Sequence, residues 1–282
     1  MPDDIRTATP DTHWAHFERA WTALLSYRYL GKGTPYLDRG VVDEVMPLRH
    51  DMRNSRGGIM AAPLCIASPE PWWRDDECVP APVTMSYQII DPAHDVRRVQ
   101  VLREVIHIGR AMGFSRSRVV DADDHSRVVA LSSGSGVSLG DVPVGFEAVD
   151  NPVYELVDSP DLPRLRDVFG IRQNDDGALR IASATPELSS PHGALHLGPI
   201  NIALEAAAMD ELERVTGSDA FQVEQWHVMM VKPGMVGPFL ATANVHGDGR
   251  SDRFGVEAQM VDEGAAGRII AAVSACFRRF VD

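Results

Sequence analysis

The residues of this chain that can do chemistry gather at two turn-to-helix junctions. In the first, Arg56-Gly57-Gly58 runs into a short apolar stretch that carries Cys65. In the second, His192-Gly193-Ala194 precedes His196, Asn201 and Glu205. A helix start offers unpaired N–H groups and partial positive charge, which suit an oxygen that gains negative charge during reaction. The small residues Gly57, Gly58, Gly193 and Ala194 let a ligand approach such backbone closely, and they equally suit a plain strand-to-helix turn. His192 can orient a carbonyl or a water, or can serve only to cap and pack. His196, in an apolar setting, reads as structural. Asn201 can hydrogen-bond a water but does not titrate. Glu205 stands beside Ala206 to Ala208, where burial raises a carboxyl pKa toward that of a base; an arginine such as Arg56 beside it would instead make it structural. Cys65 reads more readily as a small buried hydrophobe than as a nucleophile.

The elements that must position these residues recur. Gly57, Pro63, Ile66 and Ala67 match Gly193, Pro199, Ile202 and Ala203 at an offset of 136. Asp91-Pro92 matches Lys232-Pro233 at 141, Gly109-Arg110 matches Gly249-Arg250 at 140, and Ser126–Ala130 matches Gly267–Ala271 at 141. Order is kept and the drift falls between helix and strands, as a duplicated fold predicts. Each copy reads as one strand, one central helix and four strands. In the first these are 41–48, a helix reaching about Ala67 before Pro69 and Pro71, then 83–90, 96–108, 114–121 and 128–137. In the second they are 178–185, a helix from Ile200 to about Leu212, then 221–231, 239–246, 254–261 and 269–280. An amphipathic helix is expected over 13–29, ended by Gly31, Gly33 and Pro35. Aromatic Trp72-Trp73 and acidic Asp75–Glu77 separate the first helix from its strands. The expected divisions are a helical segment 1–35, a first unit 36–140, a linker 141–177 and a second unit 178–282. The fold class is α+β, with two antiparallel sheets each wrapped round a central helix.

A formal charge of −13 argues against nucleic acid as a bulk partner, though not against a small anionic ligand held by a few arginines. No apolar run approaches the ~20 residues needed to span a membrane. Three cysteines without CxxC spacing and an acidic N-terminus without a signal pattern imply a reducing cytoplasm. No metal-ligand cluster, P-loop or GxSxG elbow is present; Gly134–Ser138 lies on an expected strand. Arg97-Arg98 and Arg278-Arg279 suit a solvated strand face better than a phosphate site.

With these residues set out, the chain resembles the hotdog-fold acyl-CoA thioesterases of the phenylacetyl-CoA and 4-hydroxybenzoyl-CoA type. The resemblance rests on His192-Gly193-Ala194, Lys232-Pro233-Gly234 and Gly267–Ala271, and on the repeat, which implies a double hotdog in one chain. It implies a coenzyme A thioester as substrate or ligand, no further cofactor, and a site where the two central helices meet. There Glu205, Asn201 and His192 are the candidate catalytic residues, and Arg56, Gly57, Gly58, Cys65, Gly193, Ala194 and His196 the binding set. The family's carboxylate, nine residues after the histidine, is here Asn201, and the first copy has Cys65. Thioester hydrolysis by water positioned by Glu205 or Asn201 therefore stands beside a catalytically silent acyl-CoA-binding protein. A hydratase, faintly signalled by Asp150–Tyr154, stands third, and assembly into homo-oligomers is left open.

Overall fold

The computed structural model describes residues 9, 20, 23–31, 43–67, 78–141, 154–247 and 249–280. Most of the helix expected over 13–29, the 72–77 aromatic and acidic run, and residues 150–153 lie outside them. What is described of the first helix is α1 (Leu25–Leu30), which Gly31 ends in the left-handed conformation, φ 70°.

The first half continues with β1 (Asp43–Pro47), α2 (Ala61–Ala67), β2 (Cys78–Ile89), β3 (Arg98–Ile108), β4 (Gly113–Asp121) and β5 (Val128–Asp141). After α3 (Leu165–Val168) and β6 (Arg172–Gln173), the second half repeats the series. It has β7 (Leu179–Ile181), α4 (Leu197–Thr216), β8 (Phe221–Met230), β9 (Phe239–His246), β10 (Arg253–Asp262) and β11 (Arg268–Arg279).

Among the described residues the eleven strands form one sheet in the order β1-β3-β4-β5-β2-β8-β11-β10-β9-β7-β6. From the β2–β8 seam outward, each half reads the same way: first long strand, last, third, second, then the short leading strand. The duplication extends to single hydrogen bonds. Asn54 N donates to Gly58 O and Gly57 N to Asn54 O, while Ser190 N donates to Ala194 O and Gly193 N to Ser190 O. Val129 O accepts from Ile90 and Asp91, as Ile270 O accepts from Val231 and Lys232. These are the 136 and 141 offsets of the sequence, now in three dimensions.

The core lies between the sheet and the helices. Phe254, Phe277 and Val223 face one another across β10, β11 and β8 by register, and all three are buried. Their neighbours Glu257 and Gln259 point outward, the period-two alternation of a sheet with one wet face. The helix α4 is buried on every side from Leu197 to Ala208, so the sheet and α2 enclose it.

Some boundaries differ from the sequence reading. α4 is longer than Ile200–Leu212: Pro199 sits in its first turn, where a missing N–H costs nothing. It stops at Gly217, φ 69°, whose N–H reaches Glu213 O. β2 extends back through Pro80 and Pro82 because β8 pairs it only from Thr84 onward, leaving the proline stretch without a second ladder to break. Of 178–185 only Leu179–Ile181 pairs, and the chain then turns into a 3-10 segment. The stretch expected as a linker supplies β6, which pairs with β7, and α3, which packs against α4.

Candidate active site

Asn54 builds the first turn. Its side-chain oxygen accepts from Arg56 N and Gly58 N at 3.0 and 2.9 Å, and its amide nitrogen donates to Phe221 O and Gln222 Oε1. Gly57 takes φ 80°, open to glycine at little cost. Gly58 lies against the buried Gln222 amide so closely that a Cβ would overlap Oε1. Gln222 in turn donates to Ile59 O and Val223 O. The turn of one half is thus fixed by the first long strand of the other.

Two residues beyond Ile59, α2 begins at Ala61, and there it meets Glu205 of α4. Oε1 accepts from Ala61 N at 2.8 Å and Oε2 from Ala62 N at 2.7 Å. The residue is 2% exposed. Burial raises its pKa from 4.5 to about 7, and the two amides hold it from going higher. No arginine pairs with it among the described residues.

Glu205 sits in the wall of a 410 Å³ cleft between the halves. Apolar side chains from both halves line it, among them Ile59, Ile202, Phe221, Val223 and Phe277. The volume and apolar lining are those of a small-molecule site. The 154–171 segment closes one side with Leu162 and Leu165.

The other sequence candidates do not line this cleft. Arg56 is exposed in its turn, whereas Glu205 is buried. The N–H groups of Gly57, Gly58 and Gly193 bond within their own turns, so the donors facing the carboxylate are Ala61 and Ala62 instead. This corrects the expectation that the small-residue turns present free donors. Cys65 is buried inside α2 and its thiol pKa is pushed well up, first by burial and then by the nearby Glu205 charge. That is the behaviour of a packing residue.

The second turn leads to a closed counterpart of the first. His192 bonds Ser190 at 2.9 Å, and Ala194 O accepts from that same hydroxyl. His196 caps α4: its Nδ1 accepts from Gly198 N at 3.3 Å and lies 3.0 Å from Ser26 Oγ. Ser26 packs against Gly198 so closely that a Cβ there would overlap its hydroxyl, so α1 covers the start of α4. Asn201 is fully buried; it donates to Leu197 O at 2.9 Å and accepts from Trp226 Nε1 at 3.0 Å. Both ends of its amide bond to protein, and the residue is not among those that line the cleft.

Asn54, Gln222, Ile59 and Leu162 were not singled out from sequence. Asn54 had a signal, since it stands 136 residues before Ser190 and opens the same turn. Leu162 had none.

No protein-family model matches the chain, and no curated protein matches it by sequence. Solved structures do. An acyl-CoA thioesterase II from Mycobacterium marinum superposes with a TM-score of 0.59 at 12% identity, over 87% of this chain and 97% of its own. A protein of unknown function with a hot dog fold, from Alicyclobacillus acidocaldarius, covers 91% of this chain and 98% of its own, TM-score 0.52 at 9% identity. The chain is a double hotdog. A 12:0-ACP thioesterase from Umbellularia californica also matches, TM-score 0.51 at 9% identity, over 84% and 94%. In this double hotdog the two halves carry unlike helix junctions: one faces a carboxylate in a cleft, and the other is covered by α1. No helix among the described residues is long and apolar enough to cross a membrane.

Proposed function

We propose that the chain is an acyl-CoA thioesterase whose reaction takes place at Glu205. The observation that carries this reading is a buried carboxylate of pKa about 7 in the wall of an apolar cleft, facing two backbone N–H groups of the other half. A base is most effective when its pKa lies near the working pH. In the proposed reaction Glu205 takes a proton from water as the water oxygen attacks the thioester carbonyl. As the carboxylate is neutralised its hold on the amides of Ala61 and Ala62 weakens, and those donors are then available to the carbonyl oxygen as it becomes an oxyanion. Collapse breaks the C–S bond, and the proton passes from Glu205 to the departing thiolate. The products are a free acid and coenzyme A, and no further cofactor is needed. We also propose that the copies run over 36–140 and 178–282, preceded by 1–35 and joined by 141–177.

The test is thiol release from short, long and aromatic acyl-CoAs. Wild type turns over, with a rate that rises with pH through about 7. Glu205→Gln loses about 10²–10⁴ in rate. Full activity in Glu205→Gln refutes the assignment of the base.

A second reading has its own support. Both N–H donors are already engaged by Glu205, the arrangement of a structural cap. A wild type that binds acyl-CoA and releases no thiol makes the protein a silent acyl-CoA binder.

A further inference from the structure

The segment between the halves is pinned as a strap across the cleft. At one end Tyr154 N donates to Arg28 O at 2.7 Å, and the Arg28 guanidinium lies 4.8 Å from the Tyr154 ring centre. At the other, Leu165, Phe169 and Ile171 are buried, with Phe169 edge-on to Tyr29 at 6.3 Å. Two contacts hold the middle. Asp158 Oδ1 accepts from His50 N at 2.7 Å, and Arg166 binds both carboxylate oxygens of Asp210 on α4 at 3.0 and 2.9 Å. Between these contacts Leu162 and Leu165 turn into the cleft. Leu165 is itself part of the core, whereas Leu162 is only half-buried and so can face a ligand.

The arginines around the cleft are already engaged: Arg53 donates to backbone carbonyls, Arg164 pairs with Asp167, and Arg166 holds Asp210. Asp219 and Glu205 add carboxylates to the lining, which disfavour an anionic tail. A charged acyl tail finds no counter-ion among these, and an apolar tail finds matching walls. At roughly 30 Å³ per methylene-sized group, 410 Å³ holds on the order of a dozen carbons.

We propose that Leu162, held in place by the strap, is the specificity-determining residue of the cleft and limits the substrate to medium-length apolar acyl chains. The choice of ligand rests on the thioester reading of the Glu205 cleft, but the test does not require turnover. Dissociation constants are measured by calorimetry for saturated S-alkyl-coenzyme A thioethers from four to sixteen carbons. The proteins are the intact wild type, Leu162→Ala and Leu162→Trp.

In wild type, affinity tightens about fourfold per added methylene and then stops tightening where the chain meets the strap. In Leu162→Ala that break moves to longer chains by about two to three carbons, the volume removed. In Leu162→Trp it moves to shorter ones, and melting temperatures stay close to wild type. A break at the same length in all three proteins overturns the proposal, as does absence of binding at every length. A movable break in a protein that releases no thiol from acyl-CoA leaves this proposal standing and removes hydrolysis instead.

Discussion

Glu205→Gln should remove a pH dependence of stability that the wild type carries. An ordinary glutamate has a pKa of 4.5, and burial places Glu205 at about 7. Below pH 4.5 the carboxyl is protonated in both folded and unfolded chains. Between 4.5 and about 7 the unfolded chain releases this proton while the folded protein keeps it, so folding loses stability as pH rises. The gap corresponds to about 3 kcal/mol by pH 8. At roughly 2–4 °C per kcal/mol, that is about 6–12 °C in melting temperature. Glutamine cannot ionise and lacks this loss. It also satisfies only one of the two amides, which lowers stability at every pH by about 1–3 kcal/mol. The melting-temperature difference, variant minus wild type, should therefore start negative near pH 4.5, climb through pH 7 and level off. Asp91, Glu211 and Asp252 are held below the usual carboxylate range by Arg127, Arg214 and Arg278, so their contributions disappear only at lower pH. They are common to both proteins and cancel in the difference. Thermal unfolding of both proteins from pH 4.5 to 8.5 provides the measurement. A flat difference shows that Glu205 ionises as freely in the fold as outside it, and the case for a tuned base fails.

Asn201→Asp restores the position where the resemblance places a carboxylate, yet it should not create activity. It puts a charge at a fully buried site, facing Leu197 O in place of a donor, at a cost of about 2–4 kcal/mol. Urea unfolding and thiol release check this together, and a stable, faster Asp variant contradicts it. Gly58→Ala should cost about 1–3 kcal/mol, because its Cβ displaces Gln222 and with it the bonds to Asn54 and Ile59 O. An unchanged denaturation midpoint would mean that Gln222 moves aside freely.

Much of the architecture could be read from the residues alone. Repeated Gly-x₅-Pro-x₂-Ile-Ala spacing, with ordered matches further on, revealed two copies, and the shared strand order and turn bonds follow it. β9 falls at Phe239–His246, where the strand was expected, while α4 runs past the expected end near Leu212 to Gly217. These are local or self-similar signals: turn chemistry, periodicity, and one half read against the other. Glu205 was legible as a carboxylate in an apolar helix, and its burial follows from that setting. Its partners were not, since Ala61 and Ala62 lie 144 and 143 residues earlier and offer only main-chain N–H, which every residue but proline has. Nor did the sequence show that Trp226 claims Asn201, that Ser26 packs against Gly198, or that Leu162 reaches the cleft. Each depends on which surfaces meet when the helices dock under one continuous sheet. Burial and hydrogen-bond partnership are properties of that docking, and no window of sequence contains both sides of it.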